Sequence, residues 1–323
     1  MKFEPLTFNP VFKQTIWGGE KLKGEFNKNS PLSAVGESWE ISCVSGNISV
    51  VKNGAFKGLP LTEVLSKYGA GILGRKIFAS SGGTFPLLFK FIDARDDLSV
   101  QVHPGDALAK ARHNSFGKTE MWYILSADKG AILYSGFREH ITKTEYPELV
   151  RTGAITNALA SQEVKEGDVF FIPAGRVHAI GAGIVLAEVQ QTSDVTYRIF
   201  DYNRKGPDGK ERQLHTEEAL DAIDFTVEKN YKTEYSPRIN EAVNIAKCDF
   251  FTVNLIELSG KVHRDLSRQD SFVVYMCARG SAVLFCAGTE TKLKQGDTVL
   301  VPAAITHDIT LSSEKAKLLE VYI

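Results

Sequence analysis

The chain has 323 residues, 38 basic against 39 acidic, for a formal net charge of −1. A near-neutral chain projects no long-range field towards a polyanion, which speaks against nucleic acid as a partner, so any anionic substrate must be met by a few local cations. Cys43, Cys248, Cys277 and Cys286 stand far apart with no CxxC spacing, which argues against a disulfide framework or a thiolate metal site and fits a reducing cytoplasm.

The N-terminal stretch Met1–Pro5 lacks the apolar core of a signal peptide, and no run of about 18 apolar residues exists to span a membrane. The first sixty residues are short β-type runs, such as 37–44 and 47–51, broken by Gly, Pro and Asn. From Leu61 the period becomes helical, with Leu61, Val64, Leu65 and Tyr68 on one face and Gly69 as the expected stop. Gly69 to Gly74 spells GxGxxG, but it follows a helix rather than a strand, so the dinucleotide reading fails on context.

Residues 86–94 read as a buried strand and 98–103 as its neighbour, ended by the turn Pro104-Gly105-Asp106. A short helical piece over 107–112 leads to a strand over 119–125. A helical insertion is expected over 144–159, and strands return over 169–172 and 184–190. The polar, Gly/Pro-bearing segment 202–213 reads as a solvated surface loop, 215–223 as a helix, and 229–238 as a linker. From Ala246 to Ile323 the pattern is again strands.

One internal repeat organises the chain. Gly167 to His178 recurs as Gly296 to His307, with Gly, Asp, Pro and His in register at an offset of 129 residues. Two related antiparallel β-barrels in one chain are the economical explanation, with boundaries at 1–235 and 236–323.

Gln101 and His103 are two apart on a predicted strand, so both point to one face while Val100 and Val102 point to the other. Glu120 opens the next long strand, and His178 follows the later turn. One amide oxygen, two imidazoles and a carboxylate make a four-ligand N/O set without sulfur, which suits zinc and leaves iron, manganese and cobalt open. Singly, each of these residues reads more simply as core or surface; the combination points to a metal. The second repeat has no Gln-x-His partner for His307, so that barrel is expected to be metal-free. His113, His140, His215 and His263 lack partners and are taken as structural.

Lys90, Ser99, Lys118, Glu188 and Arg198 interrupt otherwise apolar segments. A buried cation needs an anionic partner, because a lone charge out of water costs several kcal/mol. A structural ion pair, such as Lys118 with Glu188, is the simpler alternative to a binding site.

The G-x5-P-x-G-x2-H pattern of Gly167 to His178 resembles the second signature of the cupin superfamily, and Gln101-x-His103 with Glu120 resembles a stretched first signature. More narrowly, Pro86–Lys90, Leu98–Pro104, Gly117–Met121, Glu188 and Ser193–Arg198 together resemble type I mannose-6-phosphate isomerases of the compact bacterial form. The resemblance implies a mainly β fold of two cupin-type, jelly-roll-like barrels with short helical insertions. It also implies an aldose–ketose isomerase interconverting mannose 6-phosphate and fructose 6-phosphate through an enediolate, with one Zn2+ per chain. By it, Gln101, His103, Glu120 and His178 take the metal positions and Arg198 that of the active-site arginine. Lys90, Ser99, Lys118 and Glu188 line the pocket, Lys90 and Ser99 with Arg198 on the substrate side, and Glu188 and Lys118 are both candidates for the base. A bicupin metal-dependent dioxygenase and a non-catalytic sugar-binding cupin are the alternatives.

Overall fold

The computed structural model describes residues 2–206 and 208–323. Met1 of the N-terminal stretch and Pro207 of the 202–213 loop lie outside the described residues. The N-terminal strands are β1 (Phe8–Asn9), β2 (Val11–Gly19), β3 (Val35–Ile41), β4 (Val50–Val51), β5 (Leu87–Ala94), β6 (Val100–Val102) and β7 (Glu120–Ala127). They continue as β8 (Ile132–Phe137), β9 (Leu159–Glu163), β10 (Val169–Ile172), β11 (His178–Ile180), β12 (Ile184–Gln191), β13 (Tyr197–Phe200) and β14 (Lys232–Thr233). The C-terminal strands are β15 (Ala242–Lys247), β16 (Thr252–Arg264), β17 (Val273–Cys286), β18 (Thr289–Lys294), β19 (Thr298–Val301) and β20 (Ile309–Tyr322).

An antiparallel seven-stranded sheet runs β14-β10-β7-β12-β5-β2-β3, and a five-stranded sheet runs β13-β6-β11-β8-β9. All eight residues of β5 and of β12 are buried, because this sheet is covered on both faces. On one face Leu87, Phe89 and Phe91 pack with the helix residues Leu61, Val64 and Leu65 and with Phe272, Val274 and Leu319 of the C-terminal part. On the other, Ile92 and Ala94 pack with Trp122, Leu186, Leu133 and Ile180, the last two from the five-stranded sheet. Each such side chain contributes roughly 1.5–3 kcal/mol by leaving water. Lys90 shares its parity with Ile92, so the same alternation aims it between the two sheets.

The five-stranded sheet repeats the logic. Val100, Val102, Ala179, Tyr197 and Ile199 face outward, under helices Tyr146–Arg151, Ile155–Ala158 and Thr216–Ala222. Gln101, His178 and Arg198 are left facing the space between the sheets.

The C-terminal sheet runs β15-β16-β20-β17-β18, with β19 also on β17. Its long strands shift register near Gly260 and Gly280 and enclose a core of their own. The fold is mainly β, but the sheets follow open paths, so the two closed barrels expected from the repeat are not found among the described residues. In the N-terminal part the interior is filled from two facing sheets rather than from one sheet hydrogen-bonded around to itself.

Other differences from the sequence reading have local causes. The helix does not stop at Gly69: it kinks at Tyr68 (φ −132°, ψ 17°) and runs to Leu73. A Cβ at Gly69 would lie 2.0 Å from the Phe78 ring, so glycine here admits the next helix, Arg75–Ser80. The 144–159 insertion is two short helices, broken after Arg151 and at Gly153 (φ 73°), with Leu159 already in β9. The 229–238 segment contributes β14 and the buried Tyr231. No helix among the described residues is long and apolar enough to cross a membrane, and all four cysteines are free.

The repeat is real in backbone detail. Gly167 and Gly296 have φ of 89° and 90°. Asp168 accepts from the Lys165 main-chain N–H at 3.1 Å, and Asp297 from that of Lys294 at 3.0 Å. After the proline the copies diverge: a turn at Gly175 (φ 91°) leads to the buried His178, whereas a single 3-10 turn over Ala303–Ile305 leaves His307 exposed.

Candidate functional site

Strand register assembles two rows of side chains that face each other. Across the five-stranded sheet, Arg198, Gln101, His178 and Ser135 are successive cross-strand partners. Across the seven-stranded sheet, Trp122, Glu188, Lys90 and Trp39 are successive partners, and Glu120 pairs with Gln190 one row away. Cross-strand partners sit side by side on one face, so each row delivers its polar groups together.

His103, Glu120 and His178 are buried, and their ligand atoms all lie within 4.8 Å of one another. His103 Nε2 is 3.3 Å from Glu120 Oε1 and His178 Nε2 is 3.8 Å from Glu120 Oε2, while the Gln101 amide nitrogen Nε2 lies 3.3 Å from His178 Nε2, so Gln101 would ligate through its oxygen only with the amide turned over. Ligand atoms about 2.1 Å from a shared tetrahedral ion lie about 3.4 Å apart, so these spacings suit one ion. Each imidazole is oriented from behind: Nδ1 of His103 donates to the Val195 carbonyl at 3.0 Å and Nδ1 of His178 to that of Arg176 at 2.8 Å. That tautomer makes both Nε2 atoms acceptors facing the cluster, where Lys118 Nζ lies 3.1 Å from that of His103 and the Gln101 amide nitrogen 3.3 Å from that of His178. Glu120 Oε2 is buried without a hydrogen-bond partner, as expected of an oxygen reserved for a cation.

The charges agree. Burial and the neighbouring His103 ring push the His178 pKa down to about 3, and burial with Lys118 lowers that of His103, so both rings are neutral, as ligands must be. Burial alone would raise the Glu120 carboxyl, but Lys118, 2.6 Å away, and His103 hold it well below the usual carboxylate range. The ion pairs differ from the one expected: Lys118 joins Glu120, while Glu188 joins Lys90 at 3.0 Å and accepts from Trp122 Nε1 at 2.8 Å. Lys90 also lies 3.4 Å from Glu37. Burial and Glu120 push the Glu188 carboxyl up against the pull of Lys90.

A cavity of about 350 Å³, reached from the cluster through Gln101 and Lys118, is lined by these two with Lys90, Ser99, Glu188 and Arg198, which brings these sequence candidates together. It is also lined by Asp194, from the Ser193–Arg198 stretch, and by residues not among the sequence candidates, including Thr15, Trp17, Glu37, Trp39 and Arg212. Glu37-x-Trp39 carried a usable signal, an acid and an aromatic on one face of an early strand. Arg212 belongs to the loop read as solvated surface, but here it borders the cavity. His215 also has a partner: its Nδ1 accepts from the Arg198 main-chain N–H at 3.1 Å. His113 meets the Tyr197 hydroxyl at 2.8 Å.

Residues 6–133 match the phosphomannose isomerase type I catalytic domain, and residues 241–323 match the mannose-6-phosphate isomerase cupin domain. A mannose-6-phosphate isomerase of Streptococcus mutans is 37% identical over 305 residues, covering 94% of this chain and 93% of that protein. Another, of Bacillus subtilis, is 37% identical over 306 residues, covering 94% of each. The crystal structure of the mannose 6-phosphate isomerase from Bacillus subtilis superposes with a TM-score of 0.89 at 31% identity, covering 99% of this chain and 100% of that one.

Proposed function

The chain belongs to the type I mannose-6-phosphate isomerase family and interconverts mannose 6-phosphate and fructose 6-phosphate, and we propose that it does so at one zinc ion held by Gln101, His103, Glu120 and His178. The carrying observation is the buried N/O cluster, with neutral imidazoles and a partnerless carboxylate oxygen, next to a cavity lined by Gln101 and by the cations Lys90, Lys118, Arg198 and Arg212 among three carboxylates. The donor set is nitrogen and oxygen without sulfur, and its three buried members lie within 4.8 Å of one another, which supports zinc. When bound, the ion supplies polarisation of the sugar carbonyl and its neighbouring hydroxyl.

The remaining chemistry falls to side chains. Isomerisation moves a proton between adjacent carbons through an enediolate. Glu188 is the favoured carrier of that proton: its carboxyl is raised towards neutrality, and Lys90 and Trp122 fix its position. Lys118, drawn onto Glu120, is the alternative base. Arg198 donates to Gln213 O through Nη1 at 2.9 Å, while its Nε is buried and partnerless, available to oxygen on which charge develops. Lys90 and Ser99 line the sugar's path, and Trp17 and Trp39 keep water from it. The same reading takes residues 1–235 as a cupin-type catalytic barrel and 236–323 as a metal-free second, supported by the duplicated Gly-Asp turn. The near-neutral charge and unpaired cysteines support a cytoplasmic protein acting on a small phosphosugar, without nucleic acid or membrane as partner.

The test is a coupled assay of fructose 6-phosphate formed from mannose 6-phosphate. Zinc-replete protein without turnover would overturn the activity. Arg198→Ala should abolish turnover and leave metal near one per chain; an active variant would remove Arg198 from the mechanism.

A further inference from the structure

The cavity mouth holds an arrangement that neither the metal nor the proton transfer uses. Asp201, just past β13, is 4% exposed and binds two guanidiniums. Arg212 meets it bidentately, Nε to Oδ2 at 2.6 Å and Nη2 to Oδ1 at 2.6 Å, and Arg204 Nη2 meets Oδ1 at 2.5 Å. Arg204 also reaches the Asp97 carbonyl, which ties the approach to Ser99 to the same knot. Arg212 borders the cavity beside Arg198, and its Nη1 donates to no group among the described residues. One carboxylate thus anchors a fork whose remaining N–H groups are unspent.

The charge balance gives this fork a ligand. Around the cavity and its walls, Lys90, Lys118, Arg198, Arg204 and Arg212 stand against Glu37, Glu120, Glu188, Asp194 and Asp201. Five cations against five carboxylates cancel, so a divalent ion held there would leave a surplus of two positive charges. A sugar phosphate near neutral pH brings about −1.5 to −2. Lys90 is already neutralised between Glu188 and Glu37, so it is a poor recipient for that charge. At the rim Arg198 pairs with no carboxylate among the described residues and Arg212 shares Asp201 with Arg204, so these two guanidiniums are the cations least neutralised locally.

We propose that Arg212 selects the phosphorylated substrate by gripping its phosphate group at the cavity mouth, and that Asp201 is the residue positioning it. The proposal rests on the isomerase reading. It gives the polar loop 202–213 a role in recognition, and Asp201 a role through Arg212 rather than on substrate.

Steady-state kinetics on the intact, zinc-loaded protein test it, with inorganic phosphate as a competitive probe. Wild-type turnover is measured first, and its absence would sink the isomerase reading alone. Arg212→Gln should raise KM for mannose 6-phosphate and Ki for inorganic phosphate by about 10- to 100-fold, the worth of one or two charge-assisted hydrogen bonds, with the loss falling on KM rather than kcat. Arg212→Lys should recover part of the affinity, and Asp201→Asn should raise both constants in the same sense. Unchanged KM and Ki in Arg212→Gln, with wild type active, would overturn the proposal. So would a loss confined to kcat.

Discussion

Lys90 is the most exacting point at which to separate fold from chemistry. Its ammonium is buried 3.0 Å from Glu188 and 3.4 Å from Glu37, and its pKa is held above the ordinary lysine value because those carboxylates outweigh the burial that would lower it. Lys90→Met keeps the volume and removes the cation, leaving two carboxylates facing each other in a dry space. Removing one partner of a buried pair costs about 3–5 kcal/mol. At roughly 2.1 cal/mol/K per residue, 323 residues unfold with about 0.7 kcal/mol/K, so the apoprotein midpoint should fall by about 4–7 °C. A single transition is expected, because one buried cluster spans the N-terminal and C-terminal sheets. Lys90→Met/Glu188→Gln removes one stranded charge while keeping an acceptor for Trp122, and should recover most of the midpoint yet stay inactive. Calorimetry with the coupled assay reads both. A Lys90→Met protein as stable as wild type would refute the burial argument, and an active double variant would confine the pair to a structural role.

Acid should destabilise the metal-free protein through His178. Its folded pKa, about 3, lies below the unfolded value of about 6.5, so the unfolded state binds the extra proton and stability falls as pH drops through 6.5. Between pH 8 and 5.5 this amounts to about 1.4 kcal/mol in urea titrations, and an identical pH profile in His178→Gln would refute it. Glu120→Gln should weaken metal binding by more than the roughly 10–100-fold that follows loss of an outer partner. Competition with a zinc chelator would measure it, and unaltered affinity would exclude Glu120 as a ligand. The repeated turn offers an internal comparison. Gly167→Ala meets nothing closer than 3.4 Å and should cost only the strain of its positive φ, about 1–2 kcal/mol, whereas at Gly296 the added Cβ would lie 2.3 Å from the Phe26 carbonyl and should cost about 1–3 kcal/mol more. Equal losses in thermal melts would refute that contrast.

What could be read from the sequence was whatever strand periodicity or tight turns fix locally. Gln101 and His103 share a face because strands alternate, and Gly167 and Gly296 mark the same turn because only glycine takes φ near 90° without strain. What escaped depends on distant pairing. Glu37 and Trp39 reach the cavity only because β3 lies beside β5, and nothing near them in the chain announces that register. Arg212 looked like one charge among many in a polar loop. Its meaning lies in Asp201, an acid at the end of an apolar strand, whose burial follows from packing rather than from composition. Lys118 and Glu188 were both read as buried charges, but the choice of partners turned on which sheet carried which row. Barrel closure is not legible for a related reason: a repeat of turns specifies similar hairpins, not hydrogen bonds between the first and last strands of a sheet.

The duplicated turn and the unduplicated site then have one explanation in hydrogen-bond satisfaction. Among the described residues from 236 onward, Glu320 is the one buried carboxylate. It accepts from Arg264 Nε at 2.9 Å and Nη2 at 2.7 Å, from Tyr275 Oη at 2.9 Å and from Asn254 Nδ2 at 3.0 Å. Four donors meet both of its oxygens, so it acts as a structural centre with nothing left to offer an ion. Glu120, in the first copy, has one oxygen on Lys118 and the other without a donor, between two imidazoles whose Nδ1 atoms are already committed to main-chain carbonyls. A related scaffold therefore completes its interior in two ways, by closing the hydrogen-bond shell around a carboxylate or by leaving it open for a metal. Chemistry is expected only where the shell is left open.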